Sequence, residues 1–253
     1  MNKFLSMGVG LVLLGSAVAA EAADAITGNV TLASDYRFRG ISQVEGGFSP
    51  AIQGGFDWKP EIGFYLGTWA SNVNFSGVEN ASIETDLYGG FSRALNDKIT
   101  YDVGFYYYGY PHATFRPRFG CEGPCPNVQI DYYEYYGSLS FTTPIGGVKT
   151  GVNYSPDYFA ETGDFFYPYI EYSTKIADKL TILAHYGYNK FDQKRFLGNR
   201  DYYSDWKVAA SIDGFGVTWG LAYVATNLDS NEECFGDEDL CKATAVFSIS
   251  KAL

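Results

Sequence analysis

Past its first two dozen residues, the sequence has no apolar run near the ~18 residues that a membrane-crossing helix needs. Histidine is scarce: His112 and His185 are the only two, which leaves few bases to activate a nucleophile. Cations are also short, with 18 Lys and Arg against 29 Asp and Glu and a net charge of −11. Nucleic-acid binding leans on clustered Lys and Arg, so no nucleic-acid partner is expected. No internal repeat or low-complexity linker divides the chain, and one domain is expected.

What is present starts with an export signal. Lys3 precedes the short apolar run Met7 to Leu14, followed by the small-residue triplets Ala17-Val18-Ala19 and Ala20-Glu21-Ala22. This layout predicts a secretory signal peptide over residues 1–22, cut between about residues 19 and 23. The mature chain, 24–253, keeps the net charge of −11, because the leader carries one Lys and one Glu.

Aromatics and glycine are abundant, with 22 Tyr, 19 Phe, 4 Trp and 29 Gly. That mixture suits close-packed strands with interfacial rings better than a soluble helical domain. Mean hydropathy is only −0.13. Strands that face lipid on one side and a polar interior on the other average to such a value, so it does not argue against a membrane barrel.

The chain breaks into runs at about 26–39, 50–58, 63–73, 83–93, 99–109, 129–142, 148–155, 165–177, 180–190, 204–212, 216–227 and 242–251. In Ile99-Thr-Tyr101-Asp-Val103-Gly-Phe105-Tyr-Tyr107 every odd position is apolar or aromatic. Leu180, Ile182, Ala184, Tyr186 and Tyr188 form one such face, and Val217, Trp219, Leu221, Tyr223 and Ala225 another. Trp206, Val208, Ala210 and Ile212 form a third. Period-two alternation at this length predicts strands with two different surroundings. The run 63–73 is apolar on both faces, and the phases of 129–142 and 165–177 are ambiguous.

Connections alternate strictly between short and long. Short ones fall near 59–62, 94–98, 143–147, 178–179 and 213–215; long ones cover about 40–49, 74–82, 110–128, 156–164, 191–203 and 228–241. The expected fold is therefore all-β, a transmembrane antiparallel up-and-down β-barrel of about twelve strands, with short periplasmic turns and long external loops. A soluble β-sandwich has no reason to place every long loop at one end. Tyr36, Phe38, Trp58, Phe64, Phe91, Tyr101, Tyr107, Tyr188, Trp206 and Trp219 are expected to contribute to interfacial girdles.

The segment Asn29-Val-Thr-Leu-Ala-Ser-Asp-Tyr-Arg-Phe-Arg-Gly-Ile-Ser-Gln43 resembles the opening of the TorF-type family of bacterial outer-membrane porins. Ala51-Ile-Gln-Gly-Gly-Phe-Asp57 and Gly63-Phe-Tyr-Leu-Gly-Thr-Trp-Ala-Ser-Asn72 look like that family's next two strands. The resemblance implies an integral outer-membrane barrel with a pore and supplies no catalytic residues. One departure is the C-terminus, which ends in Leu253 where many outer-membrane proteins end in an aromatic residue read by the barrel-assembly machinery.

Alternation points Asp35, Arg37 and Arg39 into the lumen, opposite lipid-facing Tyr36 and Phe38. It likewise turns Glu84, Asp86, Asp57, Asp102, Lys149 and Lys207 inward, since a Lys or Arg on the lipid face costs about 2–4 kcal/mol at the midplane. Arg37, Arg39, Glu84, Asp86 and Lys207 fall near external strand ends. They are expected either to form a charged constriction that filters small hydrophilic solutes or to fill a narrow barrel with salt bridges.

Four cysteines pair locally, Cys121 with Cys125 and Cys234 with Cys241, in two external loops. An oxidising compartment favours two loop-stapling disulfides over a zinc site. No metal or other cofactor is expected. Expected partners are outer-membrane lipid, lipopolysaccharide, the assembly machinery and small hydrophilic solutes; monomer and homo-oligomer both fit. The rival classes are a lipid-modifying outer-membrane enzyme, for which His185 with Asn189 and a serine is the one imaginable set, and a structural or adhesive barrel without an open pore. The loop bearing Asp229, Glu232, Glu233, Asp237, Glu238 and Asp239 matches no ordered calcium-loop spacing. Calorimetric titration with calcium is expected to show no binding heat.

Overall fold

A computed structural model of the chain describes residues 25–45, 49–75, 77–116, 127–177, 179–193, 197–198 and 200–253. The expected signal peptide and the Cys121–Cys125 pairing lie outside the described residues. The strands run, in order, β1 (Ala25–Ala33), β2 (Arg37–Phe38), β3 (Ile41–Ser42), β4 (Ala51–Lys59), β5 (Phe64–Asn72), β6 (Val78–Glu79), β7 (Ile83–Asn96) and β8 (Ile99–Gly109). They continue with β9 (Thr114–Phe115), β10 (Tyr132–Thr143), β11 (Gly146–Ser155), β12 (Phe165–Ile176), β13 (Leu180–Phe191), β14 (Tyr202–Gly214), β15 (Val217–Thr226) and β16 (Thr244–Ala252).

Twelve strands close into one antiparallel barrel in the order β1-β16-β15-β14-β13-β12-β11-β10-β8-β7-β5-β4. Closure is made at β1, where Asn29 pairs with Ala252 on one side and Gly55 on the other. Each strand thus has a hydrogen-bonded neighbour on both edges, as a sheet in hydrocarbon requires. The two-stranded pairs β2-β3 and β6-β9 stand apart from the wall. All short connections lie at one end with both ends of the barrel chain, and all long ones lie at the other.

Apolar side chains alternate outward along the strands. Leu221 is 56% exposed and Val208 55%, while the following inner-face neighbours Ala222 and Ala209 are buried. An exposed apolar band encircling a closed barrel is a lipid-facing surface. Trp58, Phe64 and Tyr107 belong to that surface, and Phe64 packs edge-on against Phe91 there.

The abundance of glycine and tyrosine has a common cause on the inner face. A Cβ on Gly67 would meet the Tyr88 ring, one on Gly90 the Tyr65 ring, one on Gly104 the Tyr136 ring and one on Gly151 the Tyr169 ring. In each pair the two residues are direct cross-strand partners. The phenol end of each tyrosine covers the place of the missing side chain, the arrangement in which an aromatic covers a strand glycine.

Two expectations need correction. The first strand stops at Ala33, not at residue 39, and the chain then folds inward. Tyr36 and Phe38 therefore do not face lipid: Tyr36 is buried, packed edge-on against Trp69 of β5, and Phe38 packs on Tyr108 of β8. The ambiguous phases also resolve. Tyr132, Glu134 and Tyr136 of β10 are buried inside while Tyr133 and Tyr135 are exposed outside, so aromatic residues occupy both faces.

Because Val208 sits mid-strand on the outer face, Val208→Arg is expected to destabilise the barrel by about 2–4 kcal/mol in lipid, with Val208→Ala costing much less. Urea unfolding from phospholipid vesicles measures the difference.

Candidate functional site in the barrel lumen

The lumen divides into two zones. At the long-loop end it is filled by the chain between β1 and β4. Arg39 and Gly40 both have left-handed backbones, with φ of 46° and 86°. Two consecutive positive φ values form the tight turn that joins β2 to β3, and Phe38 pairs with Ile41 across it. For a residue with a side chain this conformation carries strain of order 1–3 kcal/mol, so Arg39 must be held by its surroundings.

Those surroundings come from six of the twelve wall strands. Arg39 Nη1 and Nη2 donate to Glu134 Oε1 and Oε2 of β10, both at 2.7 Å. The guanidinium carbon lies 4.1 Å from the centre of the Tyr167 ring and 4.8 Å from that of Phe165, both on β12. The Tyr203 hydroxyl of β14 donates to the Arg39 carbonyl at 3.1 Å. A Cβ on Gly40 would meet Thr226 of β15 and Asp205 of β14. Tyr36 donates to Glu84 Oε1 of β7 at 2.7 Å. Glu134 is itself fixed by Asn153 Nδ2 of β11 at 2.8 Å.

Arg37 is turned elsewhere. Its Nε donates to Asp35 Oδ2 at 2.5 Å, and its Nη1 donates to the carbonyls of Leu240 at 2.7 Å and Lys242 at 3.1 Å. Burial pushes the Asp35 carboxyl above its usual range, opposed by the Arg37 charge and the Ser42 hydroxyl. The Leu240 acceptor belongs to the last long loop, which the Cys234–Cys241 disulfide closes. Three of the acidic side chains of that loop are paired locally: Arg200 donates to Glu233 at 3.1 Å, and Lys242 to Glu238 and Asp239, both at 2.7 Å. Burial opposes ionisation of Glu233, but the Asp229 amide and Arg200 outweigh it and hold that carboxyl below its ordinary range. No cluster of three metal-ligating side chains occurs among the described residues.

Above the turn, aromatic rings complete the filling. Tyr158 stacks on Phe165 at 4.0 Å between centroids and lies 4.6 Å from Tyr132, while Phe75 meets Tyr110 and Phe159 edge-on.

The second zone, toward the short turns, is polar and reached by solvent. Register places Lys149, Glu171, His185 and Lys207 in one cross-strand row over β11 to β14. His185 Nδ1 is 3.5 Å from Glu171, and its Nε2 is 2.7 Å from the Tyr167 hydroxyl and 3.6 Å from Asp205. Its hydrogen-bond and charge partners are thus tyrosine and carboxylates, with Asn189 donating instead to Asp205 at 2.8 Å. On the opposite wall the glycine-seated rings deliver their hydroxyls to carboxylates: Tyr88 donates to Asp57 and Tyr65 to Asp102, both at 2.6 Å.

The nine charged residues singled out in the sequence thus fall into separate groups. Arg39 forms the inward turn, and Glu84 and Asp86 face its segment from the wall; Arg37 and Asp35 anchor its base; Asp57, Asp102, Lys149 and Lys207 line the polar zone. Lys207 is not at the external end but level with His185, because its strand begins at Tyr202. Glu134, Asn153, Glu171 and Asp205 were not singled out. Each is an isolated polar residue on a strand face, and only the register reveals its partner. Counting inward-facing groups on the wall strands, the carboxylates Asp57, Glu84, Asp86, Asp102, Glu134, Glu171, Asp205 and Asp213 outnumber the cations Lys59, Lys149, Lys175 and Lys207.

A closed twelve-strand antiparallel barrel with an apolar exterior, a polar lumen and all long loops at one end is a porin-like outer-membrane barrel. The chain belongs to Gcw_chp, a family of bacterial proteins of unknown function, whose family model matches residues 17–253. In fold it is similar to the KdgM porin, with a TM-score of 0.54, 8% sequence identity, and coverage of 90% of this chain and 96% of that one. The NanC porin is similar to the same degree, with a TM-score of 0.54, 12% identity, and coverage of 90% and 98%. A structure of the KdgM porin in complex with disordered oligogalacturonate gives a TM-score of 0.55 and 9% identity, covering 90% of this chain and 96% of that one. No curated protein sequence matches the chain.

Arg39 is 6% exposed and Glu134 fully buried. Removing one partner of a buried pair leaves an uncompensated charge, so Glu134→Ala is expected to cost about 3–5 kcal/mol, and the double replacement Arg39→Met with Glu134→Leu to recover most of it. Denaturant unfolding in detergent of Glu134→Ala, of the single replacements Arg39→Met and Glu134→Leu, and of the double variant measures this coupling.

Proposed function

We propose that the protein is an outer-membrane channel for small hydrophilic solutes, exported by a signal peptide that is removed by a cut between about residues 19 and 23, and held closed by the segment around Arg39. The observation that carries the reading is the attachment of that segment. It fills the lumen through side chains and a tight turn, whereas every barrel strand is complete without it. Swinging it out would break none of the wall's pairing. Beneath it lies a row of half-buried charged and polar side chains, Lys149, Glu171, His185 and Lys207, of the kind that lines ion paths. The similarity in fold to KdgM and NanC porins and the TorF-type resemblance of residues 29–43 support the same class.

The wall's excess of carboxylates favours cations over anions, in contrast to the oligogalacturonate described with the KdgM porin. Outer-membrane lipid, lipopolysaccharide and the assembly machinery are the partners such a barrel requires. The packed external half favours one rival, a structural barrel that never conducts.

Planar-bilayer recordings under a salt gradient separate the two. Wild type is expected to show small or brief openings, Arg39→Ala larger ones, and both a reversal potential of the sign set by cation preference. Currents indistinguishable from bare lipid for both folded proteins would assign the barrel a structural role. An anion-set reversal potential would overturn the charge argument.

A further inference from the structure

The place that Arg39 occupies is itself built like a binding site. Four groups of the barrel wall form most of it, joined by the Tyr158 hydroxyl of the loop after β11, which accepts from Arg39 Nη1 at 3.5 Å, and by the Phe38 ring of the turn itself, 4.7 Å from the guanidinium carbon. Glu134 offers two carboxylate oxygens in the plane of the guanidinium, each 2.7 Å from a donor. Asn153 holds the carboxylate in that orientation from the neighbouring strand, at 2.8 Å. Tyr167 and Phe165 present their faces to the cation at 4.1 and 4.8 Å. A carboxylate fork combined with flat aromatic faces selects a planar guanidinium over a compact ammonium, because only the former can donate in parallel and stack at once.

The occupant, by contrast, does not belong to the wall. It arrives at the tip of a two-residue turn, on a backbone conformation that a residue with a side chain rarely adopts. As a filler the pair is a poor choice: apolar residues would close a lumen without the cost of desolvating two charges. A charged pair is well suited to an occupant that must leave.

We propose that the cage of Glu134, Asn153, Phe165 and Tyr167 is a guanidinium-binding site on the permeation path, and that Arg39 is its tethered occupant. Solutes bearing a guanidinium group compete with Arg39 for the cage and so hold the turn out of the lumen. The solute class admitted in preference is then guanidinium-bearing cations. The tether gives Arg39 an effective concentration on the order of millimolar or more, so free guanidinium competes weakly in the wild type and occupies the cage readily once Arg39 is removed. This inference rests on the channel reading for its permeation role, while the cage can be tested without any current.

The probe is guanidinium chloride, compared with equal concentrations of ammonium and tetramethylammonium chloride on the Arg39→Ala protein. Thermal unfolding in detergent, followed by the shift in gel mobility on heating, is expected to move upward with guanidinium and not with the other two cations. In planar bilayers, guanidinium is expected to reduce the Arg39→Ala current with half-block on the order of 10 mM, and a further Glu134→Gln replacement to weaken that block about tenfold or more. Equal effects of the three cations on both stability and current would overturn the cage. Selective stabilisation without any current would uphold the cage and overturn the channel. Current with no selectivity for guanidinium would do the reverse. Arg39→Lys serves as the folding control, since it retains a charge for Glu134 and is expected to stay insensitive to guanidinium.

Discussion

A sheet immersed in hydrocarbon has to pair every backbone amide and carbonyl with its own chain, and closure of the barrel is the way this protein meets that requirement. The pairing of β1 with both β4 and β16 is the seam on which the rest depends. Once the sheet is closed, each strand has an outside that must be apolar and an inside that must be filled or wet. The outside is answered by alternating Leu, Val, Ile and aromatic side chains. The inside is answered twice over: tyrosines laid across glycines at one level, and the Arg39 turn with its aromatic surroundings at another.

These two solutions differ in permanence. The tyrosine and glycine partners sit on adjacent wall strands and cannot separate while the barrel exists. The Arg39 turn is joined to the wall by an ion pair, ring contacts and a few hydrogen bonds. Its base is tied through Arg37 to carbonyls of the disulfide-closed last loop. A barrel whose external half is filled by a segment that is not part of the wall, above a row of charged and polar side chains, has the parts of a closed channel.

Much of the wall was legible because alternation and loop rhythm are local properties. The run read at 180–190 is the strand Leu180–Phe191, and that read at 83–93 is Ile83–Asn96. The error at 26–39 has a physical cause. Asp35 to Arg39 alternates polar and aromatic residues as a wall strand does, because the inward segment also has two unlike sides. Alternation reports two environments without naming them. Residues 129–142 defeated the phase reading for a related reason, since Tyr132 faces packed rings and Tyr133 faces the exterior.

The site was less legible than the wall. Arg39 was visible as an inward charge, but its partner Glu134 lies 95 positions away and carries no motif. Glu171 and Asp205 became neighbours of His185 only through the β12–β13–β14 register. Single polar residues scattered over strands acquire meaning from closure, which no short window of sequence contains.

The central claim, that the segment 35–44 closes an otherwise continuous lumen, is tested most directly by removing it. Replacing residues 35–44 with a short Gly-Ser link leaves every barrel strand intact. Single-channel conductance of that folded barrel should rise several-fold over the full chain; conductance equal to that of the full chain would contradict the account.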